Sequence, residues 1–416
     1  MAGGVVSTSV TTGGHGILRD RNFQLMWLGT LGFWLVVFAH VPLLPLYLDE
    51  IGYSAGTIGL VYGSAALLAL VTRIACGWAV DLYGERWFLL AGAALWIVTT
   101  PVPPFTTSLV IIELSWLVKG IGLGMFTTAA GGWVGRYARA AERGVAMGWW
   151  GTAMFTAWIV APAGVVLVRD VSGYVGAFTA AAIVALLAGL AGFVPSTVHG
   201  GRAATPAGPR WQSLIAPRAI EPGLFGLVVG VASAGFTVFV PLTVEHAGLG
   251  QPGIYLSVYA GAGIIARLLA GPISDRHGRG GVILAGFVVC AAGMAVLGTA
   301  DTHLQAGVAA VLFGAGMGAT SPALLAWNAD RSAAAQRGVA TSTYFSLHEI
   351  GLFGGAWLVG VALGIAGIWA FHAVAVLLLV AVPWFVVQRW RSGEPVVWAL
   401  PEGGQQAEEQ VEEVRR

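Results

Sequence analysis

GPISDRHGRG occupies residues 271–280, and GWAVDLYGER occupies residues 77–86. The two stretches place glycine, aspartate and glycine in the same register 194 residues apart, and each is an island of charge in an otherwise apolar chain. Of the 416 residues 57% are hydrophobic and 10% charged, against about 25% charged in a soluble domain. So much apolar surface exceeds what a water-soluble core of this length buries, and part of the solvent must be lipid. Lipid offers backbone groups no hydrogen-bond partner, which leaves helices or a closed barrel as spanning structures. Barrel strands alternate apolar and polar residues. The runs at 181–194 and 371–387 are long and unalternated, so the chain reads as an all-α membrane protein.

A helix needs about 20 apolar residues to cross a bilayer. Twelve segments qualify: 23–48, 56–80, 87–104, 108–135, 143–168, 174–195, 219–244, 252–274, 281–299, 304–328, 337–362 and 364–388. They divide the chain into a lead (1–22), a first six-helix bundle (23–195), a Gly-, Pro- and Arg-containing linker (196–218), a second bundle (219–388) and a tail (389–416). The lead lacks the basic-then-apolar pattern of a cleaved signal. With the N-terminus in the cytoplasm, seventeen of the 21 Lys and Arg fall on cytoplasmic segments, and Arg169 alone falls outside. That asymmetry orients a multi-pass protein of the cell membrane with both termini cytoplasmic. Cys76 and Cys290 sit in apolar segments without metal-ligand spacing, and the eight histidines form no i, i+4 pair, so no metal is expected. A net charge of +1 without a basic aromatic patch argues against nucleic acid. GIGLG (120–124) lies inside an apolar helix with no strand before it, which excludes a nucleotide loop.

The 194-residue register extends well beyond the knots. Arg73 meets Arg267, Gly120, Gly122 and Gly124 meet Gly314, Gly316 and Gly318, Trp133 meets Trp327, and RGVA at 143–146 meets RGVA at 337–340. Six spans repeated in parallel orientation are a transporter architecture, with the substrate site between the halves. On these residues the chain resembles the major facilitator superfamily, whose loop between the second and third spans reads roughly G-x-L-A-D-R-x-G-R-R. Gly271, Asp275, Arg276, Gly278 and Arg279 match it. The first copy keeps Gly77, Asp81, Gly84 and Arg86, with Leu82 and Glu85 where basic residues are usual. The resemblance implies twelve transmembrane helices in two pseudo-symmetric bundles. It also implies a latch at the cytoplasmic rim, Asp81 engaging the start of the eleventh span near Arg337 and Asp275 the start of the fifth near Arg143. Gly77, one turn below Arg73 and one above Asp81, is read as admitting a neighbouring helix.

Ionisable groups at membrane depth cost about 2.5–3.5 kcal/mol each and are candidates for substrate or proton contact. They are Arg73 and Arg267, Glu113 and Lys119 with Trp116 on the fourth span, His348 and Glu349 on the eleventh, and His40 on the first. In proton-driven members the fourth span often carries Arg-x-x-Gln-Gly. Here Trp116 and Lys119 take the Arg and Gln places, so Lys119 is read as a displaced cation or as a binder of an anionic substrate group. Met154 and Phe155 stand opposite His348 and Glu349 in the repeat, so their charge is not scaffold. Glu349 is read either as a proton carrier or as a fixed partner of Arg73. Trp34, Phe126, Phe236, Tyr259 and Tyr344 are candidate lining of an apolar pocket.

The fifth span runs Gly148, Ala157, Ala161, Pro162, Val165, Val166, a degraded form of the antiporter pattern, which favours export. The expectation is a secondary transporter working by alternating access, coupled to proton entry and exporting a small organic molecule. It needs no cofactor beyond a proton gradient and no enzyme activity, and acts as a monomer in the bilayer. Proton symport or uniport for uptake, and a receptor that binds without transport, are the alternatives.

Overall fold

A computed structural model describes residues 16–139, 142–189, 193–194, 216–332, 336–391 and 393, without the side chains of Trp78, Asp81 and Arg337. Within the described residues the chain forms helices and no strand. The helices are α1 (Arg21–Glu50), α2 (Ala55–Tyr83), α3 (Glu85–Thr99), α4 (Leu109–Tyr137), α5 (Arg143–Ala188), α6 (Pro217–His246), α7 (Pro252–His277), α8 (Arg279–Leu297), α9 (His303–Asp330), α10 (Arg337–Ala366) and α11 (Trp369–Arg391). All eleven are long and apolar enough to cross a membrane. Helix α5 supplies two crossings, because Gly173 at φ 68° interrupts it; its mate in the repeat, Gly367, turns the chain between α10 and α11 at φ 56°. Twelve spans result.

Helix starts follow local chemistry. The Asp20 carboxylate caps α1 by accepting from the amides of Asn22 (2.9 Å) and Phe23 (3.0 Å), and Thr302 with Gln305 forms a capping box at α9. Two expected bounds need correction. The third span ends at Thr99, not 104, because Pro101, Pro103 and Pro104 cannot continue a helix, and the twelfth starts at Trp369, after the Gly367 turn. Large apolar side chains stand on the outer surface, Leu268, Leu114 and Trp390 among them, as a lipid solvent requires.

The halves meet along two seams, α2 on α10 and α5 on α7, and the seams are copies of each other. A methyl on Gly59 would collide with the Ala356 carbonyl, and one on Gly253 with the Pro162 carbonyl; both positions shift by 194 onto each other. Glycine at 59 and 253 lets backbone lie on backbone, which is how helices gain dispersion contact where lipid supplies no hydrophobic drive. Beside the second crossing Gln251 donates Nε2–H to the Ala163 carbonyl (2.9 Å). Beyond the crossings, polar contacts tie the same end: His246 Nε2–H donates to Asp49 (2.7 Å), and Arg169 lies 3.3 Å from Glu245 and 2.8 Å from Asp170.

At the arginine-rich end the seams part. A Cβ built on Gly77, Gly271, Gly144, Gly148 or Gly151 meets nothing within 4 Å. The expectation that Gly77 seats a neighbouring helix therefore does not hold in this arrangement, since the halves splay there, and Gly59 and Gly253 make the close approach instead. The molecule is shut at the Asp49–His246 end and open at the other.

Leucine at Gly59 or Gly253 is expected to push the shut end apart. Overpacking costs about 1–3 kcal/mol, which moves the equilibrium about 5- to 150-fold at about 1.4 kcal/mol per tenfold. A cysteine placed at Ala163 reports this as faster labelling by a membrane-impermeant maleimide; an unchanged rate contradicts the crossing.

Candidate functional site

From the crossings toward the open end, each seam carries one further contact before the halves separate. On the α2–α10 seam Arg73 donates Nη1–H to Glu349 (2.7 Å), with the arginine side chain 32% and the glutamate 13% exposed. On the α5–α7 seam the 194-residue shift turns that pair into Arg267 and Phe155, and the guanidinium stands over the phenyl ring at 5.0 Å. One seam thus bridges the halves with a neutral ion pair, the other with a cation on a π-face. Of the two readings of Glu349, its geometry is that of the Arg73 partner.

Aromatic rings fill the layer between the crossing and Arg267. Trp34 stacks on Phe38 (5.1 Å), Phe38 meets Trp158 edge-on (3.8 Å), and Trp158 meets Tyr259 across the seam (6.0 Å). All four are partly exposed, which makes them the wall of a chamber open below. Phe126 and Phe236 are not part of it: each is fully buried inside its own half, stacked on Phe33 (3.9 Å) and Phe313 (4.4 Å). Tyr344 is buried against Gly226, and His348 Nδ1 lies 3.0 Å from the Gly226 carbonyl, so both fasten α10 to α6.

Lys119 and His40 form a sealed pair inside the first half, 1% and 0% exposed, rather than a chamber surface. His40 Nδ1 lies 2.8 Å from the Val36 carbonyl, which only accepts, so Nδ1 carries the hydrogen. Nε2 is left to accept an N–H from the Lys119 side-chain nitrogen at 3.0 Å. The Trp116 and Trp96 rings stand 5.2 and 5.7 Å from the same nitrogen. Trp116 itself donates Nε1–H to the Tyr62 carbonyl (3.0 Å). Glu113 lies elsewhere, in a crevice lined by Leu60, Ser64 and Val71 of α2, Leu117 of α4 and Phe353 of α10, with Oε2 buried and without a hydrogen bond.

The two knots fold alike. Gly84 and Gly278 adopt φ 82° and 93° with ψ 158°, a left-handed turn between helices that demands glycine. Glu85, which departs from the family loop, is explained by its partner. Arg136 donates Nε–H to it at 2.6 Å, while in the second half Arg279 donates Nε–H to Asp330 at 3.2 Å. Positions 85 and 136 shift onto 279 and 330, so the same bridge exists twice with its charges exchanged. Asp275 turns to Arg279 of its own loop, and Arg143 and Arg276 are exposed. Arg86 lies 6.0 Å from the Phe193 ring. The Asp81–Arg337 half of the expected latch lies outside the described side chains. With the rim splayed, the Asp275–Arg143 half is not made here. Among the described residues no three His, Cys, Asp or Glu gather as metal ligands.

Comparison with known proteins agrees with this geometry. The family model of the Major Facilitator Superfamily matches residues 26–353 and 223–410. An uncharacterized MFS-type transporter of Burkholderia pseudomallei is 30% identical over 320 residues, covering 73% of this chain and 76% of that protein. A probable sulfoacetate transporter of Cupriavidus necator is 32% identical over 25% of this chain and 24% of its own length. The chain spans only 37% of the first curated relative it matches and 21% of another. Among solved structures, a mutant of the nucleoside transporter NupG superimposes with TM-score 0.73 at 15% identity over 88% of this chain and 99% of that one, a likeness of fold.

If Lys119 and His40 form a structural pair, removing the acceptor alone strands a buried donor, at about 1–3 kcal/mol. His40→Phe is expected to lower the unfolding midpoint, and Lys119→Met added to it to restore most of the loss. Additive effects in this double-mutant cycle contradict the pairing.

Proposed function

The chain belongs to the major facilitator superfamily, and on that premise we propose that it is a proton-coupled secondary carrier that exports a small organic molecule through the chamber between its halves. Membrane transport follows from the family; the direction, the proton and the cell membrane as its place are our reading. The observation that carries the reading is the pair of copied seams, shut by Gly59–Ala356 and Gly253–Pro162 and parted below. The arginine-rich end faces the cytoplasm by the charge asymmetry of the loops, so the chamber is open inward. Rocking the halves about the Arg73–Glu349 and Arg267–Phe155 layer opens the outer crossings and closes the inner rim.

Two polar sets hold the two ends. The outer set is Asp49–His246 and Arg169–Glu245, made in this arrangement. The inner set is the latch: when the rim closes, Asp275 leaves Arg279 for the start of α5 at Arg143, and Asp81 meets the start of α10 at Arg337. Carboxylates are favoured at both helix starts by the macrodipole as well as by the arginines. Glu349 is the proton site. Ionised, it holds Arg73 in the inward-open arrangement; once the outer seam has parted it takes a proton from the outer side, and it gives that proton up when the chamber faces inward again. Export is supported by the small residues Ala157, Ala161 and Pro162, which line α5 where α7 crosses it. Uptake by symport would use the same chamber with the proton moving alongside the solute.

Inside-out vesicles with an imposed pH gradient test the reading directly: solute accumulation driven by proton exit from the lumen supports export, and accumulation indifferent to the gradient contradicts coupling. Glu349→Gln is expected to flatten the pH profile of exchange, and an unaltered profile excludes Glu349 as the sole proton carrier. Asp275→Asn is expected to slow turnover about 5- to 150-fold, matching a coupling of about 1–3 kcal/mol, with little loss of folded protein. Undiminished transport by both Asp275→Asn and Asp81→Asn refutes the latch.

A further inference from the structure

The geometry assigns Arg267 as the binding group for an anion on the transported solute, which makes the substrate a small organic anion, a carboxylate or sulfonate with an apolar or aromatic body. The inference rests on the chamber being the transport pathway and adds what the pathway carries. It comes from the one place where the copied seams differ in charge. At corresponding positions, Arg73 has Glu349 and Arg267 has Phe155. The first arginine is neutralised by the chain itself. The second makes no ion pair among the described residues, and the phenyl face it rests on supplies no net charge.

The open chamber tolerates this, because Arg267 is exposed to whatever enters it. The shut chamber does not. Closing the α5–α7 seam as tightly below Arg267 as it is closed above would enclose a guanidinium with Phe155, Trp158 and Tyr259 and no counter-ion. An anion brought in from the cytoplasm supplies that counter-ion, and two parallel N–H groups of the guanidinium fit a carboxylate or sulfonate edge. The rings of Tyr259, about two turns from Arg267 on α7, and Trp158, about one turn from Phe155 on α5, stand 6.0 Å apart and cover the solute's apolar part. The loaded carrier then closes more readily than the empty one, which is the condition for carrying rather than leaking. A cationic solute gains nothing at this layer, since Glu349, the carboxylate at the corresponding position of the other seam, is already held by Arg73.

The test uses the full chain in phosphatidylcholine nanodiscs, free of anionic lipid, titrated calorimetrically with benzoate and benzenesulfonate, with benzyl alcohol and benzylammonium as neutral and cationic controls. Saturable binding of both anions is expected, at least tenfold weaker in Arg267→Gln and partly retained in Arg267→Lys. Phe155→Glu rebuilds on this seam the pair already present on the other, so it preserves packing. It is expected to weaken anion binding at least tenfold and to leave benzylammonium unbound, since Arg267 holds the new carboxylate. No saturable binding of either anion, equal affinity for benzyl alcohol or benzylammonium, or unchanged anion affinity in Arg267→Gln overturns the assignment. Counterflow in proteoliposomes separates the two readings. Binding without benzoate counterflow leaves the anion site standing and defeats the carrier. Counterflow of a neutral solute that survives Arg267→Gln leaves the carrier standing and defeats the anion site.

Discussion

Everything in this molecule depends on two places where a helix backbone lies directly on another, Gly59 against Ala356 and Gly253 against Pro162. Within a bilayer there is no water to expel from between helices, so attraction across a seam comes from how closely the backbones approach. A single side-chain carbon at either glycine removes that approach. The crossings act as clamps: they fix one end of the halves together, and the contacts further down each seam, Arg73–Glu349 and Arg267–Phe155, mark how far the closure extends before the vestibule begins.

Parts that set shape are kept in both copies, and parts that set chemistry are not. The turn glycines 84 and 278, the crossing glycines and the tryptophans 133 and 327 recur in register. The bridge between the third and fourth spans of each half recurs with reversed polarity, Glu85–Arg136 against Arg279–Asp330. Such a bridge needs opposite charges and is indifferent to which helix bears which. The seam arginines are different: one has a carboxylate and the other an aromatic ring, and this leaves the chamber electrically lopsided. Shape tolerates twofold pseudo-symmetry, whereas recognition of an asymmetric solute requires that it be broken.

Much of the fold was legible in one sequence, for identifiable reasons. Hydropathy of helical length and arginine placement exposed the spans, and Gly77, Asp81 and Gly84 against their mates exposed the duplication. The site was legible only in part. Glu349 and Arg73 stood out because charge at depth is costly, and the structure puts them in contact. Lys119 and His40 stood out for the same reason, yet they are sealed in one half, because periodicity does not say whether a helix face meets a cavity or a neighbour. Phe155 and Trp158 were invisible, since aromatics in an apolar helix carry no signal until the opposite helix is known. The ties at the shut end were missed because Asp49, Glu245 and His246 sit at helix ends, where charge is ordinary, and only the fold brings them together.

The enclosed Lys119 bears on how the protein is made. On α4 itself its side-chain nitrogen meets only the Trp116 ring; its hydrogen-bond partner, His40, comes from α1, and the second ring, Trp96, from α3. A nascent α4 entering the bilayer alone would carry an unsatisfied cation at a cost of about 2.5–3.5 kcal/mol. The earlier segments must therefore still be waiting beside the insertion machinery when α4 emerges, so that the first half is delivered to the lipid as an assembled group rather than helix by helix.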